Sequence, residues 1–187
     1  PYWLGGASIW ALQPWLDPAL AARIPFALLL VAILALTWYS TYHLARTDAA
    51  QPVPLAFGGE AAPQDYARAV ADGALLALIA SLGLLQLGHE TTPELLQLTG
   101  STLFLYGLAA AALSPAKARA ATLLSLTTMA LSGSPAVAVM LGVLGSIVCL
   151  RSRTEAVRAH LPWVAAATVL AAALATVLTQ QGLSGWA

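Results

Sequence analysis

The stretch HETTPELLQL, residues 89–98, places a histidine and two carboxylates in a short connection between two long apolar runs. A carboxylate such as Glu94, with Glu90 beside it, can bind a divalent cation or a sugar hydroxyl at the boundary of membrane and water, and His89 can assist it. Oxygen ligands of this kind suit Mg²⁺ or Mn²⁺. The same residues also fit an ordinary polar turn, because an acid in a first helical turn stabilises the helix N-terminus.

Other polar residues allow similar pairs of interpretations. Asp72 lies one turn after Arg68, so we expect an i,i+4 ion pair at the membrane interface rather than a buried functional carboxylate. We expect the aromatic run that ends the first long helix to form an interfacial belt rather than a ligand site; its residues are Trp38, Tyr39, Tyr42 and His43. The polar residues of the helix after residue 93 either line a wet cavity or bond across helices; they are Gln97, Thr99, Ser101, Thr102 and Tyr106.

The composition indicates an integral membrane protein. The chain has 187 residues, of which 59% are hydrophobic and 9% charged, and its mean hydropathy is +0.78. Soluble domains carry about 25% charged residues. Alanine and leucine dominate, and no short segments of alternating polarity occur, so the sequence predicts spanning helices rather than a barrel. The formal net charge of +0 implies no polyanionic partner such as nucleic acid.

Six hydrophobic segments predict about six transmembrane helices, the fourth of them short for a bilayer. Thr92, Ser114 and Ser134 each precede a proline, the pattern of an N-cap followed by the first helical residue. The segments cover residues 24–45, 69–87, 93–113, 119–131, 135–150 and 161–179.

The basic residues set the expected orientation. With the N-terminal end outside, every lysine and arginine except Arg23 falls at a cytoplasmic end or loop, as the positive-inside rule requires. The turn at residues 89–92 then faces the periplasm or exterior. Residues 1–23 carry Trp10 and Trp15 and predict an amphipathic helix on the outer membrane surface. We therefore divide the chain into an interfacial segment, 1–23, and a helical transmembrane domain, 24–187.

Several stretches, in order, resemble the GT-C membrane glycosyltransferases, specifically the family 39 group of aminoarabinose transferases and protein O-mannosyltransferases. PYWLGGASIWAL is similar to the family's periplasmic segment of K-P-P-x-x-Y-W-L type. The following ARIPFALLL resembles its ARLPS-type entry into a helix. GHETTPELLQL resembles its turn of R/H-x-A-T-P-D type, and LTTMALSGSPAVAVM its L-T-K-G-P hairpin.

The resemblance implies an enzyme of the bacterial inner membrane. Such an enzyme moves a sugar from a polyprenyl-phosphate carrier to a lipid or protein acceptor at the outer face. The position of the family's acid after the T-P pair is Glu94, which the resemblance makes the catalytic residue and a possible Mg²⁺ or Mn²⁺ ligand. It also implies substrate contacts for Tyr2, Trp3, His89 and Glu90. We further expect the chain to be part of a larger core whose main acidic motif precedes Pro1.

A second hypothesis is a six-helix membrane scaffold or transporter subunit without enzymatic activity. The near absence of charge within the apolar segments favours this alternative. A transporter would show broken helices or paired half-repeats, and only the short fourth and fifth segments suggest them.

Overall fold

The computed structural model describes residues 2–53, 58–59, 61–81 and 92–184, and these residues form helices joined by turns without any strand. The all-helical prediction is confirmed over this part of the chain. The helices are α1 (Tyr2–Leu12), α2 (Pro18–Ala45), α3 (Pro63–Ala80), α4 (Pro93–Ala109), α5 (Pro115–Leu131), α6 (Pro135–Arg151), α7 (Glu155–Arg158) and α8 (Leu161–Ser184), with a 3₁₀ turn at Asp48–Ala50.

Prolines mark most of the helix starts. Asp17 accepts a hydrogen bond of 3.0 Å from the Ala19 amide, so α2 begins at Pro18 rather than at Ile24, where the apolar run begins. The helices α4, α5 and α6 begin at the predicted prolines, but the hydroxyls of Thr92, Ser114 and Ser134 make no capping bond. Proline at the first helical position favours these three starts through its fixed φ and missing amide proton.

Helix α4 and helix α5 join two groups of helices. On one side α2 packs against α1, α3 and α4, and Phe26, Ile33 and Leu95 form a buried cluster there. On the other side α5, α6 and α8 pack together around Phe104 of α4 and Val164 of α8. The chain runs from α2 to α4 in such a way that Leu95 lies near Phe26 and Tyr106 near His43, so the two helices are parallel.

Small residues bring these helices into close contact. A Cβ at Gly107 of α4 would lie 2.5 Å from Thr122 Oγ1 and 3.2 Å from the Ala118 carbonyl oxygen of α5. A Cβ at Gly142 of α6 would collide with Thr168 of α8. Close backbone approach at glycine, alanine and threonine is the usual way in which helices associate within a bilayer.

Two stretches within the described residues are long and apolar enough to cross a membrane: α2 and residues Glu155–Val177. Only 17% and 22% of their most apolar windows are buried within the protein, whereas a core helix of a soluble domain would be mostly buried. Helix α6 is shorter but equally apolar, and Val143, Leu144 and Val148 are about half exposed. Exposed apolar helices of this kind point to association with a membrane.

Candidate functional site

Glu94 lies in the first turn of α4, and its side chain is exposed. The next residue, Leu95, is fully buried against Phe26 and Ile33 of α2. The Thr92 hydroxyl is buried and has no hydrogen-bond partner among the described residues. The Glu94 carboxylate therefore stands at one end of the bundle, where a soluble or membrane-bound substrate has access to it.

The other residues predicted for this site lie outside the described part of the chain in whole or in part. His89 and Glu90 fall between residues 82 and 91, which are not among the described residues. Tyr2 and Trp3 lie in α1, where the structure describes their backbone but not their side chains. Their predicted contacts with Glu94 or with a substrate stay predictions.

A second group of polar side chains meets at the opposite end of α2 and α4. Trp38 and Tyr42 stack with ring centroids 5.1 Å apart, and Tyr39 packs edge-on to Trp38 at 5.0 Å. The His43 ring lies 5.8 Å from Tyr106 of α4. Positions 38, 39, 42 and 43 share one side of a helix, because residues four apart are neighbours on its surface. Within the predicted aromatic belt, His43 therefore lies against α4.

Four of these rings, those of Tyr39, Tyr42, His43 and Tyr106, border a cavity of about 620 Å³ between α2, α4 and the start of α5. We call it the tyrosine–lysine cavity. Its polar end contains Tyr39, Tyr42, His43, Tyr106 and Lys117, and its apolar end is formed by Ala32, Ala35 and Leu36. A volume of this size suits a small-molecule or lipid ligand, since such sites typically enclose about 300–1,000 Å³.

Two cationic residues lie at or near the polar end of the cavity. Lys117 is one of its lining residues, and no carboxylate lines it among the described residues. The Arg46 guanidinium lies 5.5 Å from the centre of the Tyr42 ring, a cation–π distance. Arg46 and His43 also line a neighbouring cavity of about 270 Å³, in which Asp48 supplies one carboxylate. The arrangement is therefore suited to an anion at this end of the bundle.

The predicted ion pair of Asp72 is replaced by a different bond. Asp72 accepts a 2.7 Å hydrogen bond from the indole nitrogen of Trp38, and Arg68 instead pairs with Asp65 at 3.3 Å. Both groups of the latter pair are more than half exposed, so this contact contributes little to stability. The Asp72 bond fixes the Trp38 ring, on which Tyr42 stacks.

The polar residues of α4 are mostly satisfied within their own helix. Thr99 and Thr102 donate to the carbonyls of Leu95 and Leu98, and Ser101 donates to the carbonyl of Gln97. Tyr106 alone among the residues named for this helix lines the tyrosine–lysine cavity. The prediction that polar residues of α4 line a cavity therefore holds for Tyr106, and the hydroxyls of Thr99, Ser101 and Thr102 bond to carbonyls of their own helix instead.

A buried polar pair that the sequence did not suggest joins α5 to the connection before α8. His160 is 3% exposed, and its Nε2 lies 2.9 Å from Thr122 Oγ1, a hydrogen bond in the interior. Arg119, one turn before Thr122, stacks over Trp163 at 5.1 Å. The long sequence separation of these partners leaves no local signal by which they could be found.

A metal site at Glu94 requires further ligands close to its carboxylate. No group of three or more histidine, cysteine, aspartate or glutamate side chains converges within the part of the chain that the structure describes. Glu94 alone does not define a Mg²⁺ or Mn²⁺ site, because these ions take several oxygen ligands.

No family model, curated protein or solved structure matches the chain.

Proposed function

We propose that this chain is a six-helix membrane-spanning portion of a glycosyltransferase that takes its sugar from a polyprenyl-phosphate carrier. The observation that carries the proposal is the exposed carboxylate of Glu94 in the first turn of α4, at the position where the resemblance to the GT-C family places an acid. The exposed apolar surfaces of α2, α6 and α8 support its membrane setting.

The proposed orientation places Glu94 at the outer face of a bacterial inner membrane. Helices α2, α3, α4, α5, α6 and α8 are the six spanning elements. At about 1.5 Å per residue, the 17 residues of α4, α5 and α6 each extend about 26 Å, near the lower limit for the hydrocarbon core. Arg46, Lys117, Arg151 and Arg153 then gather on the cytoplasmic side.

In the proposed reaction Glu94 acts as the general base. The acceptor hydroxyl oxygen attacks the anomeric carbon of the carrier-linked sugar, and its proton passes to the Glu94 carboxylate. The bond from the anomeric carbon to the phosphate oxygen breaks, and its electron pair leaves with polyprenyl phosphate. A base placed in this way accelerates transfer by about 10²–10⁴-fold. A Mg²⁺ or Mn²⁺ ion bound near Glu94 would stabilise the leaving phosphate, and this cofactor remains a proposal.

The test compares Glu94→Gln with Glu155→Gln in the full-length protein in its native membrane. Both glutamates are exposed and lie in the first turn of a helix, so both changes have a similarly small effect on stability. The measured quantity is the rate at which polyprenyl phosphate is released from polyprenyl-phosphate-linked sugars. We expect a loss of about 100-fold or more for Glu94→Gln and none for Glu155→Gln.

An equal rate in the wild type and in Glu94→Gln would contradict the assignment of Glu94. If in addition no donor released its carrier in the wild-type membranes, the scaffold or transporter hypothesis would replace the transferase.

A further inference from the structure

We propose that the tyrosine–lysine cavity binds a phosphate-bearing amphiphile of the membrane, with its phosphate beside Lys117 and its apolar chain along Ala32, Ala35 and Leu36. In the proposed orientation the ligand is an anionic phospholipid of the cytoplasmic leaflet. This site is separate from Glu94, because Tyr106 follows Glu94 by twelve residues of α4, or about 18 Å along the helix axis.

The polarity of the cavity changes along α2 as it does along a lipid. Ala32 and His43 are eleven residues apart on one continuous helix, so the lined length is about 16 Å. Alanine and leucine side chains line the end toward the middle of the bundle, and tyrosine, histidine and lysine side chains line the end at the loop. A headgroup with the first part of an acyl chain has the same length and the same order of polarity.

The charge at the polar end selects an anion. The Lys117 ammonium is a compact cation with three donors, a common partner of phosphate groups. Within the described part of the chain, none of the residues that line the cavity carries a negative charge. Arg46 adds a second cation one turn of α2 beyond Tyr42, and Asp48 offsets part of its charge in the neighbouring cavity.

An unsatisfied ring nitrogen lies between the two cavities. His43 Nδ1 is buried and has no hydrogen-bond partner among the described residues, although His43 lines both the tyrosine–lysine cavity and its neighbour. Leaving such an atom unpaired costs about 1–3 kcal/mol, and native structures rarely do so without a reason. A phosphate oxygen or lipid hydroxyl at this position would provide the missing partner.

The test measures lipid binding to the detergent-purified full-length protein by native mass spectrometry. Phosphatidylglycerol is the first probe, and farnesyl phosphate and farnesol form a second pair that differs only in the phosphate. We expect phosphatidylglycerol to bind and farnesyl phosphate to bind at least about tenfold more tightly than farnesol. Tighter binding of farnesyl phosphate than of phosphatidylglycerol would assign the site to an isoprenoid phosphate instead of a phospholipid. Equal binding of farnesyl phosphate and farnesol would overturn the proposal.

Matched variants separate this site from general attraction to a basic surface. Lys117→Gln should weaken binding of phosphatidylglycerol about tenfold and Lys117→Arg should restore it. Arg153→Gln removes the same charge from an exposed position at the same end of the bundle and should change nothing. Equal weakening by Lys117→Gln and Arg153→Gln would contradict the site.

A second pair of variants tests the apolar end without changing any charge. Ala32→Phe fills the cavity beside Leu36, and Ala166→Phe adds the same volume on an exposed position of α8. We expect Ala32→Phe to lose phosphatidylglycerol binding and Ala166→Phe to keep it. Retained binding in Ala32→Phe would contradict the placement of the lipid's apolar chain beside Ala32. Binding is measured without sugar transfer, and Glu94→Gln should bind phosphatidylglycerol as the wild type does. The lipid site and the transferase can therefore fail independently.

Discussion

Thr122 and His160 show how single residues connect distant parts of the chain. Their side chains lie 2.9 Å apart in the interior, and they are 38 residues apart in sequence. The Thr122 side chain also packs against Gly107 of α4, at the position that a Cβ would occupy. This one residue therefore takes part in both a hydrogen bond and a close contact between two helices. The loss of its hydroxyl leaves the buried His160 ring without this partner.

Thr122→Val should therefore destabilise the protein by about 1–3 kcal/mol, the cost of a buried polar group left unpaired. Thr127→Val is the control, because the Thr127 hydroxyl donates only to carbonyls of its own helix at 2.8 and 3.0 Å. Thermal unfolding in detergent, followed by circular dichroism, measures the difference. Equal midpoints for the two variants would show that the His160 contact contributes nothing.

At this scale the sequence predicts what is local and misses what is distant. The spacing of Arg68 and Asp72 allows a pair on one helix, but Asp72 bonds to Trp38 of α2 instead. The placement of Tyr106 and Lys117 beside His43 depends on the packing of α4 and α5 against α2. Neither pairing has a signal in the order of residues, because each requires the positions of two helices in space.

The helices themselves follow more directly from the sequence. Proline fixes φ near the helical value and needs no amide partner, so the Pro93, Pro115 and Pro135 starts could be predicted. Hydropathy predicts a start at Ile24, which is too late for α2, because the Asp17-Pro18 signal lies before the apolar run. Thr92, Ser114 and Ser134 occupy the predicted N-cap positions, but their hydroxyls make no capping hydrogen bond.

Glycine has opposite roles in different helices, and one pair of variants tests this. Gly107→Ala should destabilise the protein, because the new Cβ would meet Thr122 Oγ1 at 2.5 Å and the Thr122 amide nitrogen at 3.2 Å. Gly73→Ala in α3 meets nothing within 4 Å and should stabilise its helix by up to about 1 kcal/mol. Unfolding midpoints in detergent that move in the same direction would contradict the close approach of α4 and α5.

At the scale of the whole molecule, the apolar surface requires an explanation. Helix α6 exposes apolar side chains along its length, and the apolar side chains of α2 and α8 are also largely exposed. Water would make such a surface prone to association, whereas lipid makes it stable. The composition predicts this membrane setting well, but it does not fix how many helices span the bilayer, since α4, α5 and α6 have only 17 residues each.

Transfer at the outer face and lipid binding from the cytoplasmic leaflet both assume one orientation of the bundle in the membrane. In this orientation Glu94 lies at the outer face and the tyrosine–lysine cavity lies at the cytoplasmic face. Single cysteines at Glu94, Ser134 and Ser152 report this arrangement in a background in which buried Cys149 is replaced by alanine. Ser134 and Ser152 flank α6, and Glu94 lies in the first turn of α4.

The most direct test is therefore labelling of these cysteines in intact cells with a maleimide that cannot cross the inner membrane. We expect Glu94→Cys and Ser134→Cys to be labelled in intact cells and Ser152→Cys only after the membrane is made permeable. Equal labelling of Ser134→Cys and Ser152→Cys would show that α6 does not span the membrane. The reverse pattern would place Glu94 on the cytoplasmic side and contradict the proposed transfer at the outer face.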